Sequence, residues 1–282
     1  MPTLSAQDAN APIAVEAFDD FAVLTGRGGN IIALPGPEGA LLIDGGHASE
    51  ADEALQAAFS ATRTDRISTL INTHWHPEQT GLNVVAGELD AQIIAHEKSA
   101  MYLRNRVSSA LYPDHIEPLI EVGQPGRLVR LQETLEFADV EFEIGYLPAA
   151  HTDGDLYVHA PDLGLLAVGG VMSATHWSRL DYRNGAWFGG RVRALEWLAS
   201  IATDTTIVVA ADGPVLQAAD IVRQRDICLE LFEAMIGYMN RGFGPEDAVA
   251  AGPLDPYADE YGDPATFIDE AFRSMLIAYV PD

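Results

Sequence analysis

Short apolar runs alternate with longer stretches of helical spacing from about residue 40 to residue 215. The runs are Ala40-Leu41-Leu42-Ile43, Ser68-Thr69-Leu70-Ile71, residues 91–95, 142–146 and 156–159, Leu165-Leu166-Ala167-Val168 and Ile207-Val208-Val209-Ala210. Each has strand length, and turn-forming residues bound many of them. Residues 48–63 and 192–201 carry helical spacing between such runs, which predicts a layered α/β architecture. After about residue 215 the pattern turns helical. Ile221, Ile227, Leu231 and Met235 mark one long helix ending near Arg241-Gly242, Pro245-Glu246-Asp247 opens a short one, and residues 265–278 form a last one. That last helix packs on the domain or on a second subunit, so a homodimer is an open expectation. Residues 251–264, rich in Pro, Gly, Asp and Tyr, read as a loop. With 282 residues, 48% of them hydrophobic, the chain can bury a large core, and no linker or repeat divides it. One domain over 1–282, with a helical C-terminal portion from about 215, is the expectation.

The chemistry concentrates directly after the run 68–71, in Asn72-Thr73-His74-Trp75-His76-Pro77-Glu78-Gln79-Thr80-Gly81. On a strand, alternate side chains share a side, so His74 and His76 would point into one space and can share an ion. His151 is the candidate third ligand, in the turn-like Ala149-Ala150-His151-Thr152-Asp153-Gly154-Asp155. Three neutral imidazoles leave one tetrahedral position open, as in a catalytic zinc site, where bound water acquires a pKa of ~7 in place of ~15.7. The plainer alternative is a histidine pair that caps a strand and binds nothing.

These segments resemble the metallo-β-lactamase superfamily, whose pattern is a strand running into His-x-His-x-Asp-His with a later Gly-His-Thr loop. Ala40–Gly46 looks like the family's early strand and Asp-bearing turn. Leu165–Gly170 is similar to its strand ending in Gly-Asp, and Ile207–Val215 to its strand ending in Gly-His-Gly-Pro. The resemblance implies a four-layer αββα sandwich with metal at one edge of two sheets. It also implies His74, His76 and His151 as ligands of a first metal position.

Departures fall on the second position. Where the family has Asp, His, a bridging Asp and a last His, this chain has Glu78, Gln79, Gly170 and Asp212. A two-metal clamp is therefore not expected, whereas one ion per chain is, zinc ahead of iron. Restoring Asp at 170 and His at 79 and 212 is expected to rebuild the second position. Glu78 can act as a general base on water, or merely open a helix at Pro77-Glu78. Asp212 can contact the metal, hydrogen-bond a ligating histidine, or cap a helix beginning near Pro214. His176 is a reserve candidate for the pocket mouth, beside Trp177 and Tyr182, against a surface-loop alternative. His96 reads as a helix cap, His47 and His115 as loop residues, and His159 as a strand residue.

Charge narrows the partners. With 42 acidic and 16 basic residues, Lys98 the one lysine, the net charge is −26. Such a surface repels phosphate backbones and anionic membranes, so neither nucleic acid nor membrane is an expected partner. A single cysteine, Cys228, excludes internal disulfides and thiolate clusters and reads as a core residue. Residues 1–18 lack a basic start followed by an apolar run, and no stretch approaches ~20 apolar residues. The expected location is cytoplasmic, with the periplasm open if a leader was removed. Trp75, Trp177, Tyr182 and Trp187 suit a flat organic substrate or ordinary loop packing.

The function these readings support is a single-zinc hydrolase acting on a small ester, lactone, thioester or amide, with Glu78 and Asp212 handling protons. The competing reading is a catalytically inactive or binding protein on the same fold. An iron oxygenase ranks last, because its two-histidine, one-carboxylate set would need the carboxylate that Gly170 lacks.

Overall fold

A computed structural model of the chain describes residues 13–26 and 28–279. β1 (Ala14–Ala17), β2 (Ala22–Gly26), β3 (Gly29–Leu34) and β4 (Ala40–Ile43) form an antiparallel meander. Then β5 (Ile67–Ile71), β6 (Gln92–His96) and β7 (Arg127–Val129) add in parallel, completing a seven-stranded sheet in chain order. Parallel neighbours need crossovers. α1 (Ala51–Thr62), α2 (Asn83–Glu88) and α3 (Glu97–Leu103) lie between them in sequence.

The second sheet has six strands. β8 (Gln132–Phe137), β9 (Val140–Leu147), β10 (Asp155–Ala160) and β11 (Leu165–Gly169) are antiparallel neighbours. After α4 (Phe188–Ile201), β12 (Ile207–Ala210) returns parallel to β11, and β13 (Leu216–Gln217) closes the edge. The C-terminal portion holds α5 (Ala218–Asn240), α6 (Pro245–Ala250), α7 (Ala258–Tyr261) and α8 (Ala265–Tyr279).

Strand periodicity explains the layering. Val23, Ile32, Leu41, Ile43 and Ile71 on one sheet meet Phe142, Ile144, Leu156, Val158 and Ala167 on the other in a core between the sheets. Their alternate neighbours Leu24, Ile31, Leu42 and Leu70 face α1 and α2. On the far side, Leu166, Val168 and Val208 pack under α4, α5 and α8. Strands buried on both faces read as continuous apolar runs, which is the pattern of the central strands. The four-layer αββα sandwich is therefore observed. Fully buried Phe142 lies in the core between the sheets; removing its ring would cost about 3–5 kcal/mol.

Several local expectations shift. The helix expected at Pro77 begins at Asn83, with residues 77–79 in a turn, so Glu78 opens no helix. The helix expected near Pro214 begins at Ala218 with Gln217 as its cap, so Asp212 caps nothing there. Within 251–264 the chain forms a short 3-10 turn at Asp255–Tyr257 and α7 instead of a loop. His96 does cap α3, accepting from the Lys98 N–H, and Cys228 is a buried core residue. Most of the segment 1–18 lies outside the described residues. No described helix is long and apolar enough to cross a membrane.

The two sheets are tied together at one edge. The Leu156 N–H donates to the Thr73 carbonyl (2.7 Å), and the Asn30 N–H to the Ala211 carbonyl (2.7 Å). The segments following β5, β9, β11 and β12 thus come together where the candidate site forms.

Candidate metal centre

β5 ends at Ile71, so His74 and His76 stand on the loop beyond it and not on the strand itself. Strand alternation is therefore not what aims them. Buried hydrogen bonds hold the loop instead. Asn72 and Asn83 exchange amide bonds of 2.9 Å in both directions. Thr73 donates its N–H and its hydroxyl to the two carboxylate oxygens of Asp44, each at 2.7 Å. Asp44 has φ 62°, a left-handed conformation that aspartate tolerates better than most residues. Burial raises its pKa to about 7, although the Thr73 bonds pull the other way.

His151 arrives from the other sheet, on the loop between β9 and β10. Asp155 closes that loop, accepting from the His151 N–H (2.6 Å), the Thr152 N–H and the Thr152 hydroxyl. The three imidazoles meet with ring centroids 4.7 to 4.9 Å apart, all buried, and offer nitrogens within 4.8 Å of one another.

Their outer partners decide which nitrogen each ring presents. The Arg179 carbonyl lies 2.8 Å from His151 Nδ1 and can only accept, so Nδ1 carries the hydrogen and Nε2 is left with a lone pair. The Asp181 carboxylate, fully buried, takes the hydrogen of His76 Nε2 at 3.2 Å, leaving Nδ1. The Thr73 hydroxyl gives its own proton to Asp44 and can accept from His74 Nδ1 at 3.1 Å, leaving Nε2. On this assignment three lone pairs converge, and His151 Nε2 and His76 Nδ1 face each other at 3.0 Å. Two facing acceptors repel unless a cation lies between them. The three nitrogens His74 Nε2, His76 Nδ1 and His151 Nε2 would together hold one such cation, which would supply the positive charge that this arrangement lacks. Burial, reinforced by the neighbouring imidazoles, holds His74 and His151 well below the ordinary imidazole pKa, in the neutral form that binds metal. The donor set fits one ion.

Arg191 braces this set from behind. Buried at 2% exposure, it donates to the carbonyls of Ala150 (3.2 Å), Ser178 (3.3 Å) and Arg179 (2.9 Å). The last of these is the carbonyl that holds His151. Arg179 in turn bonds Glu270 on α8 through Nε at 2.6 Å, so the C-terminal helices anchor the site.

The four residues of the second position differ in their surroundings. Among the described residues the ligand cluster contains the three histidines alone; Glu78 and Asp212 stand outside it. Glu78 accepts a 2.6 Å bond from the Tyr112 hydroxyl. Asp212 accepts from the Ser173 hydroxyl (2.7 Å) and lies 3.6 Å from His176 Nε2. Gln79 is buried. Gly170 packs so closely that a Cβ there would stand 2.3 Å from His151 Cδ2 and 2.5 Å from its Nε2. The ring of the first position thus occupies the space into which a bridging aspartate would project. Restoring aspartate at 170 therefore requires the His151 ring to shift.

His176 stays half-exposed beside Asp212 and joins no imidazole of the cluster. Trp75 is packing, stacked on Tyr102, and so is Trp177, stacked on Phe267. Sequence reasoning missed Asp181, Arg191, Tyr112 and the Thr73–Asp44 pair. Of these, only the Asp44-Gly45-Gly46 turn carried a local signal.

A family model described as the metallo-beta-lactamase superfamily matches residues 24–220. No curated protein matches the chain. Among solved structures, a metallo-beta-lactamase from Pontibacter korlensis aligns with TM-score 0.62 at 16% identity, covering 77% of this chain and 99% of its own. DIM-1 metallo-beta-lactamase aligns with TM-score 0.60 at 14% identity, covering 77% and 97%. The stereoselective inverting sec-alkylsulfatase Pisa1 from Pseudomonas sp. aligns with TM-score 0.70 at 18% identity, covering 94% of this chain, which spans 50% of that longer one. At these identities the likeness is one of fold.

Proposed function

Because the chain belongs to the metallo-β-lactamase superfamily, we propose that it holds one transition-metal ion, zinc, on His74, His76 and His151 and hydrolyses a small organic ester, lactone, thioester or amide. The observation that carries this reading is the convergence of three imidazole lone pairs whose outer nitrogens each have a fixed partner. Such an ion, when bound, polarises a substrate carbonyl and makes water nucleophilic near neutral pH.

The chain's own residues supply the proton handling. Glu78 has one carboxylate oxygen engaged by Tyr112, and the other takes the proton of the attacking water and returns it to the departing group. Tyr112, its ring edge-on to His76 at 5.6 Å, keeps that carboxylate in place. Asp212, held by Ser173, orients His176 at the rim of the site. The strongly negative chain disfavours polyanionic partners, which supports a small-molecule substrate. Sulfate esters join the candidates because the fold likeness that reaches the C-terminal helices is to a sec-alkylsulfatase.

One observation favours a second reading, a metal-binding protein without turnover: Glu78 and Asp212 both already have partners within the chain. Elemental analysis of protein purified without added metal, run beside chromogenic esters, lactones, thioesters, a cephalosporin and an alkyl sulfate, tests both. One zinc per chain with turnover lost in His151→Ala supports the hydrolase. One zinc without turnover on any substrate leaves the second reading, and two ions or none overturns both.

A further inference from the structure

A groove of ≈ 400 Å³ opens between the β8–β9 edge and α4, on the far side of the loop that carries His151. It contains none of the three histidines. Its lining includes Pro148 and Ala149, and the Trp187 backbone N–H bonds the Ala149 carbonyl at 2.8 Å, two residues before His151. The size falls in the ~300–1,000 Å³ span of small-molecule pockets.

The lining has a definite chemistry. Tyr157, Trp187 and Trp197 supply aromatic walls, and Leu131 stands at the rim. Leu131 and Trp197 are 76% and 47% exposed, a large amount of apolar surface to leave in water at one place. Tyr157 is kept neutral, its pKa raised by burial and by its bond to Glu143. Arg193 is then the one charged side chain of the lining. The chain has 42 acidic residues, and Arg127, Arg130, Arg179, Arg223, Arg225 and Arg273 all pair with one. Among the described residues Arg193 instead lies over the Trp187 ring, 5.0 Å from its centroid. Trp187 Nε1 is buried without an acceptor, a second polar group left unmatched beside the same groove.

We propose that this groove binds an amphiphilic organic anion, with an apolar body against the aromatic walls and a single anionic head on Arg193. The occupant's shape follows from the walls and its sign from the lone cation. The proposal is independent of any activity at the histidine cluster.

Decanoate, decanol and decyltrimethylammonium serve as probes, followed by calorimetry and tryptophan fluorescence on the full chain. Decanoate should bind once per chain, at least ~10-fold tighter than decanol, since a charge-assisted contact is lost in the neutral probe. Arg193→Gln should bring decanoate down to the level of decanol, and Trp197→Ala should weaken both. Both positions are exposed, and an unchanged circular dichroism spectrum confirms folding. Unaltered decanoate binding in Arg193→Gln would overturn the proposal. So would equal binding of decyltrimethylammonium, or no saturable binding of decanoate up to roughly 1 mM. Sedimentation supplies a last contrary outcome: a ligand-free dimer that Leu131→Glu dissociates would mean that a second copy covers this face.

Discussion

The two halves of one strand-end edge behave differently. At the first position each histidine is oriented by an outer partner: Thr73 on His74, Asp181 on His76, and the Arg179 carbonyl on His151. At the second, Glu78 bonds Tyr112, Asp212 bonds Ser173, and Gly170 has His151 against its backbone. The difference shows that a ligand set is more than its ligands. Outer hydrogen bonds turn the three imidazoles toward one another, whereas Glu78 and Asp212 each have one carboxylate oxygen engaged by a hydroxyl elsewhere in the chain.

The sharpest way to break this contrast is to remove one residue from each side. His151→Ala should abolish stoichiometric metal binding, since two remaining imidazoles hold an ion poorly, whereas Asp212→Ala should keep close to one ion per chain. Elemental analysis after dialysis reads both. Metal retained in the first and lost in the second would reverse the assignment of the two positions.

A smaller effect is expected one step outward. Arg191→Met removes three donors from the carbonyls behind His151 and should weaken metal affinity about 10–100-fold, the usual consequence of losing outer support. Competition with a chromophoric chelator measures this. Phe142→Ala, a comparably buried change between the sheets, should lower stability without shifting affinity. Equal affinity in Arg191→Met and the parent would show that the brace serves packing alone.

Gly170→Ala is smaller again. Its methyl would press on the His151 ring, so the ring must shift, at about 1–3 kcal/mol in stability with some loss of metal. A variant that binds metal as well as the parent would mean that the crowding at 170 is easily relieved. Only then does Gly170→Asp become a sensible route to a second ion.

The smallest effect concerns the anchoring Glu270. Burial raises its pKa above the ordinary 4.5, outweighing the lowering by Arg179. A group whose folded pKa is raised binds more protons folded than unfolded in the window between the two values. Its contribution is full below 4.5 and is lost as pH rises through the folded value. Glu270→Gln should therefore gain stability relative to the parent as pH rises above 4.5, read as the difference in urea midpoints. A difference that stays flat with pH would show that the carboxylate is not shifted.

The layers were legible in the sequence because strand burial on two faces leaves an unmistakable trace: continuous apolar runs at Leu41-Leu42-Ile43, Leu70-Ile71 and Val208-Val209. His74, His76 and His151 were legible because they are close in sequence or lie in a loop of recognisable turn chemistry. Glu78 and Asp212 were readable as residue types but not as roles, since the hydroxyls of Tyr112 and Ser173 that engage them come from segments 34 and 39 residues away.

By itself, then, the sequence determined a layered α/β architecture from local periodicity and the three imidazoles from residue identity and spacing, while the resemblance to the superfamily implied the αββα order and the departures at Gly170 and Gln79. The tertiary structure alone decided which groups lie against the outer nitrogens of His76 and His151 and which hydroxyls engage Glu78 and Asp212. Those choices belong to Asp181, the Arg179 carbonyl, Tyr112 and Ser173. Such partners leave no local pattern, because a hydrogen bond between distant segments constrains geometry in space and not spacing along the chain.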